Sequence, residues 1–158
     1  ADTLLGLHHD FSGNIDWVQK IEKGQRLKLY QDPPSAHSPH TTLKTLLDDL
    51  CALHKLNRSK IPTLLDRLSL DSALLERPSS QVSGGELQRF AILRALLMSP
   101  KLLIADEPSS RLDPITAAQT LKLIVEISKE ANCGLILISH DQLALSKLCH
   151  KVIDLSRY

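Results

Sequence analysis

Three apolar runs in this chain each end in polar or acidic residues: "RLKLYQD" (26–32), "KLLIADEP" (101–108) and "GLILISHD" (134–141). Short apolar runs without alternation, as in the second and third, read as strands buried on both faces, the kind found in parallel sheets, and the first reads as a short strand beside them. A helical pattern over about 114–131, with Pro114 placed for its first turn, separates the second run from the third. A further helix over about 142–149 follows the third. Strands alternating with helices predict an α/β fold with a parallel sheet. In such sheets ligands gather beyond the carboxyl ends of the strands. Gln31, Asp106, Glu107 and His140 are therefore expected along one edge.

The remaining segments fill in around that sheet. "ADTLLGL" (1–7) is helical in character and ends near Gly6, while "GNIDWV" (13–18) and "KVIDLS" (151–156) are predicted as strands. A Pro/Ser loop, "DPPSAHSPHTT" (32–42), closes on threonines suited to capping a helix. From Leu43 to about Leu75 leucines recur at helical spacing, which predicts a helical insertion. After a loop at 76–85, a helix is expected from about Glu86 to Met98, stopping before Pro100.

With 158 residues, one domain is the default. A net charge of +1 gives no electrostatic case for nucleic acid, and 3% aromatics leave little for base stacking. Cys51, Cys133 and Cys149 are odd in number and far apart, which argues against a disulfide framework or a structural zinc site and fits a reducing setting. No apolar run approaches a membrane span, so any work at a membrane is expected to pass through a partner.

Chemistry concentrates where the strands end. Asp106 supplies hard oxygen for Mg²⁺, held through water. Glu107 beside it points differently and suits orienting or activating an attacking water. Two solvated acids at a strand end are the plainer alternative. His140 suits a terminal phosphate or the attacking water, against a merely structural histidine. The "VSGGE" turn (82–86) is sharper: glycines let backbone amides approach an anion, and a helix start favours negative charge. Its plainer reading is a helix cap with Ser83 as the capping residue. Asp113 in "SSRLDP" (109–114) is open to the same capping reading.

Taken in order, these pieces resemble the nucleotide-binding domain of an ATP-binding cassette (ABC) ATPase, over nearly the whole chain. "YQDP" with Gln31 is similar to the Q-loop, and "VSGGELQR" to the signature motif. "LLIADEP" resembles Walker B with its adjacent catalytic glutamate, "SSRLD" the D-loop, and "ISHD" the switch histidine. The resemblance implies a P-loop NTPase-like core made of 1–40 and 100–158, with about 41–99 as the helical subdomain that carries the signature. It further implies Glu107 and His140 as catalytic residues. Gln31, Ser83, Gly84, Gly85, Glu86, Asp106 and Asp113 become nucleotide contacts, with Asp106 and Gln31 serving Mg²⁺ through water. "QDPPSAHSPHTT" (31–42) is loosely similar to a segment of peptide and nickel importer ATPases, which points to peptide import.

Departures accompany the match. Val82 and Glu86 stand where the family prefers Leu and Gln, and Arg111 where the D-loop has a small residue. No G-x-x-x-x-G-K-[ST] occurs in the 158 residues. "ADTLLGLHHDFSGNI" (1–15) is similar to the family's segment just downstream of the Walker A lysine, so the expectation is an incomplete ABC domain that is inactive alone.

By the resemblance, two such domains dimerise head to tail around ATP and Mg²⁺. The start of the signature helix then reaches the other subunit's nucleotide. The partners implied are a second ATPase subunit, transmembrane permease subunits and a substrate-binding protein, at the cytoplasmic side of the inner membrane, without nucleic acid. Two rival readings are a non-transport ABC ATPase of the DNA-repair or translation type and a non-catalytic interaction module.

Overall fold

The computed structural model describes residues 2–8, 10–29, 40–110 and 112–154. Its centre is a three-stranded parallel sheet in the order β1 (Arg26–Leu29), β2 (Leu102–Asp106), β3 (Gly134–Ile138). The register aligns Lys28 with Ile104 and Leu29 with Ala105, then Ile104 with Ile136 and Asp106 with Ile138. Because strand side chains alternate between faces, this register divides the sheet into two apolar surfaces.

One surface carries Leu29, Leu103 and Ala105 into the main core, joined by the leucines of the helical block. That block begins with α2 (Leu43–His54), capped by Thr42 Oγ1, which accepts from the Thr45 N–H at 3.2 Å. It continues through α3 (Ile61–Arg67) into α4 (Gly84–Leu97). Helix α4 buries Leu87, Phe90, Ile92, Leu93, Ala95 and Leu97 around much of its circumference, as a helix inside the core must. It also buries Gln88, whose Oε1 and Nε2 have no hydrogen-bond partner among the described residues. The opposite sheet surface carries Leu102 and Ile104 against Leu5, with Trp17, Ile21, Ile136 and Ile138 alongside. Leu5 belongs to α1 (Asp2–Leu5), a short helix that ends at Gly6 with φ 71°, a conformation glycine tolerates without strain.

Helix α5 (Pro114–Glu130) crosses from β2 to β3. Asp113 Oδ1 caps it by accepting from the N–H groups of Ile115 and Thr116, each at 3.1 Å. Near its far end, Glu130 takes a two-bond fork from Arg67 of α3: Nη1 to Oε2 at 2.7 Å and Nη2 to Oε1 at 3.1 Å. A last helix, α6 (Gln142–Leu148), follows β3 with Asp141 as its cap.

Two expected strands do not form. Residues 13–18 pair with no strand among the described residues; Trp17 instead packs 4.3 Å from the Arg26 guanidinium and onto the Leu5–Ile104 surface, while Val18 is fully exposed. Residues 151–154 are likewise irregular, with Val152 and Ile153 half or more exposed. Alternating or apolar residues make a strand only where a neighbouring edge supplies hydrogen bonds. The helix expected from Glu86 starts two residues earlier, at Gly84. The strand expected to run to Gln31 is described only as far as Leu29.

Candidate functional site

Strand β2 delivers Asp106 to the carboxyl edge of the sheet, and the chain then turns sharply at Glu107, whose φ is 49°. The other non-glycine residues with positive φ among the described ones (Lys55, Ser69, Ser99 and Asn132) lie just past helices, where such a conformation commonly closes the last turn. Glu107 instead follows a strand, where the conformation is a local cost held in place by surrounding bonds. Two such bonds tie it to β3. The Glu107 N–H donates to the Ile138 carbonyl at 3.0 Å, and Glu107 Oε1 accepts from the His140 N–H at 2.9 Å.

The carboxylate is thereby fixed through the backbone of residue 140 rather than its ring. His140 Nε2 lies 3.7 Å from the same oxygen, and the imidazole is fully exposed. The Glu107 side chain is mostly covered, at 19% exposure. A well-held carboxylate beside a solvent-facing imidazole suits a base and a mobile polar partner. Asp106, Glu107 and His140 thus meet at one edge.

Asp106 has a partner that its motif does not announce. Lys28 Nζ lies 3.0 Å from Asp106 Oδ2 and 2.8 Å from Asp2 Oδ1 of α1. Burial by itself pulls the ammonium's pKa down, but the hydrogen bonds to Asp2 and Asp106 outweigh it and hold the pKa above the ordinary lysine value. Asp2 is correspondingly held below the ordinary carboxylate value, chiefly by its hydrogen bond to Lys28. The sequence signal for this group was a lysine inside an apolar run. Only the register with Ile104 places it on the Asp106 face of the sheet.

The donor chemistry here fits a hard divalent cation: oxygen ligands on two carboxylates, around a point where a positive charge already sits. Among the described residues no cluster of three or more His, Cys, Asp or Glu side chains forms a complete metal site. Mg²⁺ of this kind takes one or two carboxylates and completes its shell with phosphate and water.

The second group lies at the start of α4. Ser83 is the N-cap: its Oγ accepts from the Glu86 N–H at 3.3 Å, and Glu86 Oε2 accepts from the Ser83 N–H at 2.9 Å and from its hydroxyl at 2.6 Å. These bonds, the hydroxyl first, hold the Glu86 carboxyl below its ordinary pKa. Glu86 is therefore committed to the cap. Gly84 is exposed, with open space where a side chain would stand, so its backbone is approachable. Gly85 abuts the segment leading to α5: a Cβ there would come within 3.1 Å of Leu112 Cδ2. Asp113, besides capping α5, is held below the ordinary carboxylate pKa chiefly by its hydrogen bonds to Thr116. Among the described residues no hydrogen bond or ion pair joins this group to Glu107 or His140. Gln31 and Arg111 lie outside the described residues.

This geometry has counterparts. The family model for ABC transporters matches residues 1–110. The chain is 31% identical over 169 aligned positions to the nickel import ATP-binding protein NikE of Escherichia coli (strain K12), covering 97% of this chain and 63% of that protein. The same protein from Shigella dysenteriae is equally similar, with the same coverage. The chain thus spans less than two thirds of the length of these relatives. Among solved structures, cbiO1 from Clostridium perfringens, part of the ABC transporter complex cbiONQ, superposes with a TM-score of 0.64 at 29% identity, over 75% of this chain and 48% of that one. The dimeric structure of MJ0796, a bacterial ABC transporter cassette, gives 0.64 at 23% identity, over 77% and 55% of the two chains, a likeness of fold.

Proposed function

The chain belongs to the ABC transporter family, and from that premise we propose that it is part of an ATP-hydrolysing subunit that powers an importer. The observation that carries this reading is the meeting of Asp106, Glu107 and His140 at the carboxyl edge of a parallel sheet, with Glu107 Oε1 pinned by the His140 N–H. Pinning one oxygen leaves the other carboxylate oxygen to orient a water and accept its proton as that water attacks the terminal phosphate. The exposed His140 ring swings toward the same phosphate. Asp106 is the residue to hold Mg²⁺, which when bound neutralises phosphate charge.

The start of α4 serves a different nucleotide. The Ser83 N–H and hydroxyl are both given to Glu86, so Gly84 and Gly85 offer backbone amides and helix-end charge to an anion brought by a second ATPase subunit, head to tail, and Ser83 is assigned to that face by the family motif alone. In this division Glu86 supports the approach by holding Ser83. Gln31 and Asp113 are assigned to the nucleotide face by the family motif alone, and the split into a core (1–40, 100–158) and a helical part (about 41–99) rests on the same ground.

Among the described residues no helix is long and apolar enough to cross a membrane; the family assignment carries the reading of a peripheral subunit working at the cytoplasmic face with transmembrane permeases and a substrate-binding protein. The relatives are named for nickel import. We therefore assign nickel as the cargo ahead of peptide, which rests on the 31–42 segment.

The 158 residues contain no lysine-bearing phosphate loop, and this reading requires one. ATP turnover is the test. The isolated 158 residues should show none, whereas an extended protein that joins such a loop to them should hydrolyse ATP. Robust turnover by the 158 residues alone, or none by the extended protein with its permease, overturns the reading.

A further inference from the structure

We infer that Lys28 is a built-in counter-cation for Asp106, seated where a divalent metal would bind and competing with it. The inference rests on the assignment of Asp106 to Mg²⁺ above. Three observations carry it. First, the ammonium sits between two carboxylates, 3.0 Å from Asp106 Oδ2 and 2.8 Å from Asp2 Oδ1. Those distances bring both acids into reach of a single cation. Second, the Lys28 side chain is only 11% exposed, so it is packed in place beside Asp106 rather than extended into water. Third, the register fixes it there: Lys28 stands opposite Ile104 in β1, two residues before Asp106 on the same face of β2.

Charge decides what kind of device this is. Two carboxylates and one ammonium sum to one net negative charge, so the cluster repels an anion and retains attraction for a cation. A phosphate-reading lysine needs an uncompensated charge, and this one has two acids against it. The ammonium instead holds Asp106 in place when no metal is present, and it also ties α1 to the sheet edge through Asp2. A divalent ion arriving at Asp106 has to displace Lys28 or share the carboxylate with it, and either weakens its binding. Lys28 is thus a positioning residue that sets the metal affinity of the edge.

Mn²⁺ alone, without nucleotide, is the probe, read by the electron paramagnetic resonance of the free ion. Lys28→Met keeps the aliphatic stem packed and removes only the charge. It should bind Mn²⁺ at least about tenfold more tightly than the unaltered chain, because it removes a like charge next to the ligand. Lys28→Arg should bind as weakly as the unaltered chain, and adding Asp106→Asn to Lys28→Met should erase the gain. Equal or weaker Mn²⁺ binding by Lys28→Met overturns the inference, as does a gain that survives Asp106→Asn. If Lys28→Met fails to fold by circular dichroism, Lys28→Gln takes its place under the same criteria. Mn²⁺ binding that depends on Asp106 but not on Lys28 sinks only the counter-cation role. Binding indifferent to Asp106 in every variant sinks the assignment of the metal itself.

Discussion

Glu107 Oε1 accepts a hydrogen bond from the backbone N–H of His140 at 2.9 Å, while the solvent-exposed His140 ring keeps its Nε2 3.7 Å from the same oxygen. The two residues are 33 positions apart and lie just past the ends of adjacent strands, so one bond ties the two segments together and aims the carboxylate.

That arrangement separates chemistry from stability. Glu107→Gln keeps an oxygen for the His140 N–H, so unfolding free energy should change by no more than about 0.5 kcal/mol. ATP turnover in the extended protein should fall at least about 100-fold, the contribution expected of a general base. His140→Ala removes only an exposed ring and should be equally neutral for stability while lowering turnover. Thermal melts and steady-state rates on the same samples check both, and a large loss of stability in either variant contradicts the backbone-pinned geometry.

The Ser83–Glu86 capping box should be worth about 1 kcal/mol to the protein, the usual loss on replacing a capping serine by alanine. Since each residue satisfies the other, Ser83→Ala and Glu86→Ala should be strongly non-additive in a double-mutant cycle. Additive losses would mean that the two act independently.

The same box predicts a response to acid. The folded Glu86 carboxyl titrates below its ordinary value of 4.5. Its stabilisation is therefore present above that pH and is lost as pH falls through the lower folded value. The stability gap between the unaltered chain and Glu86→Gln should stay constant from pH 7 to about 5 and narrow below the ordinary glutamate range. A gap that does not change with pH refutes the ionised pairing.

Gly84 and Gly85 should respond differently to alanine. Helical glycine costs about 0.5–1 kcal/mol relative to alanine. Gly84→Ala meets open space and should gain part of that, whereas Gly85→Ala crowds Leu112 Cδ2 at 3.1 Å and should gain little. Gly84→Ala should nevertheless weaken ATP-dependent pairing of subunits, because a methyl would stand over the approachable backbone. Denaturation midpoints and nucleotide-dependent sedimentation measure the two effects. Equal stabilisation by both variants would show the Leu112 contact to be slack.

Gln88 is 1% exposed with its amide unpartnered among the described residues. Gln88→Met keeps the length and removes the polar penalty, so it should stabilise by about 1–3 kcal/mol. The expected sign is a higher denaturant midpoint at unchanged slope. Destabilisation would show that the amide is satisfied after all.

Much of this architecture could be read from residue patterns, for physical reasons that also mark where reading stops. Residues 102–106 form the expected strand with Leu102 to Ala105 buried, whereas 134–138 form a strand where expected but stay only partly covered; Pro114 and Asp113 announce the start of α5. Ser83 and Glu86 have the spacing of a capping box, yet the glycines between them obscured a helix start that lies at Gly84. "GNIDWV" reads as a strand because its composition suits a pleated surface, but composition says nothing about a free edge to pair with. Lys28 shows the same limit at the site. Its partners, 26 and 78 residues away by number, come from cross-strand register and the docking of α1, which no local pattern contains.

The Arg67–Glu130 fork joins α3 to the last turn of α5 across 63 residues of sequence. Two parallel bonds resist twisting where a single bond would swivel. The fork therefore fixes the angle at which α3 meets the end of α5. Arg67→Ala releases that angle and touches no residue of the sheet edge.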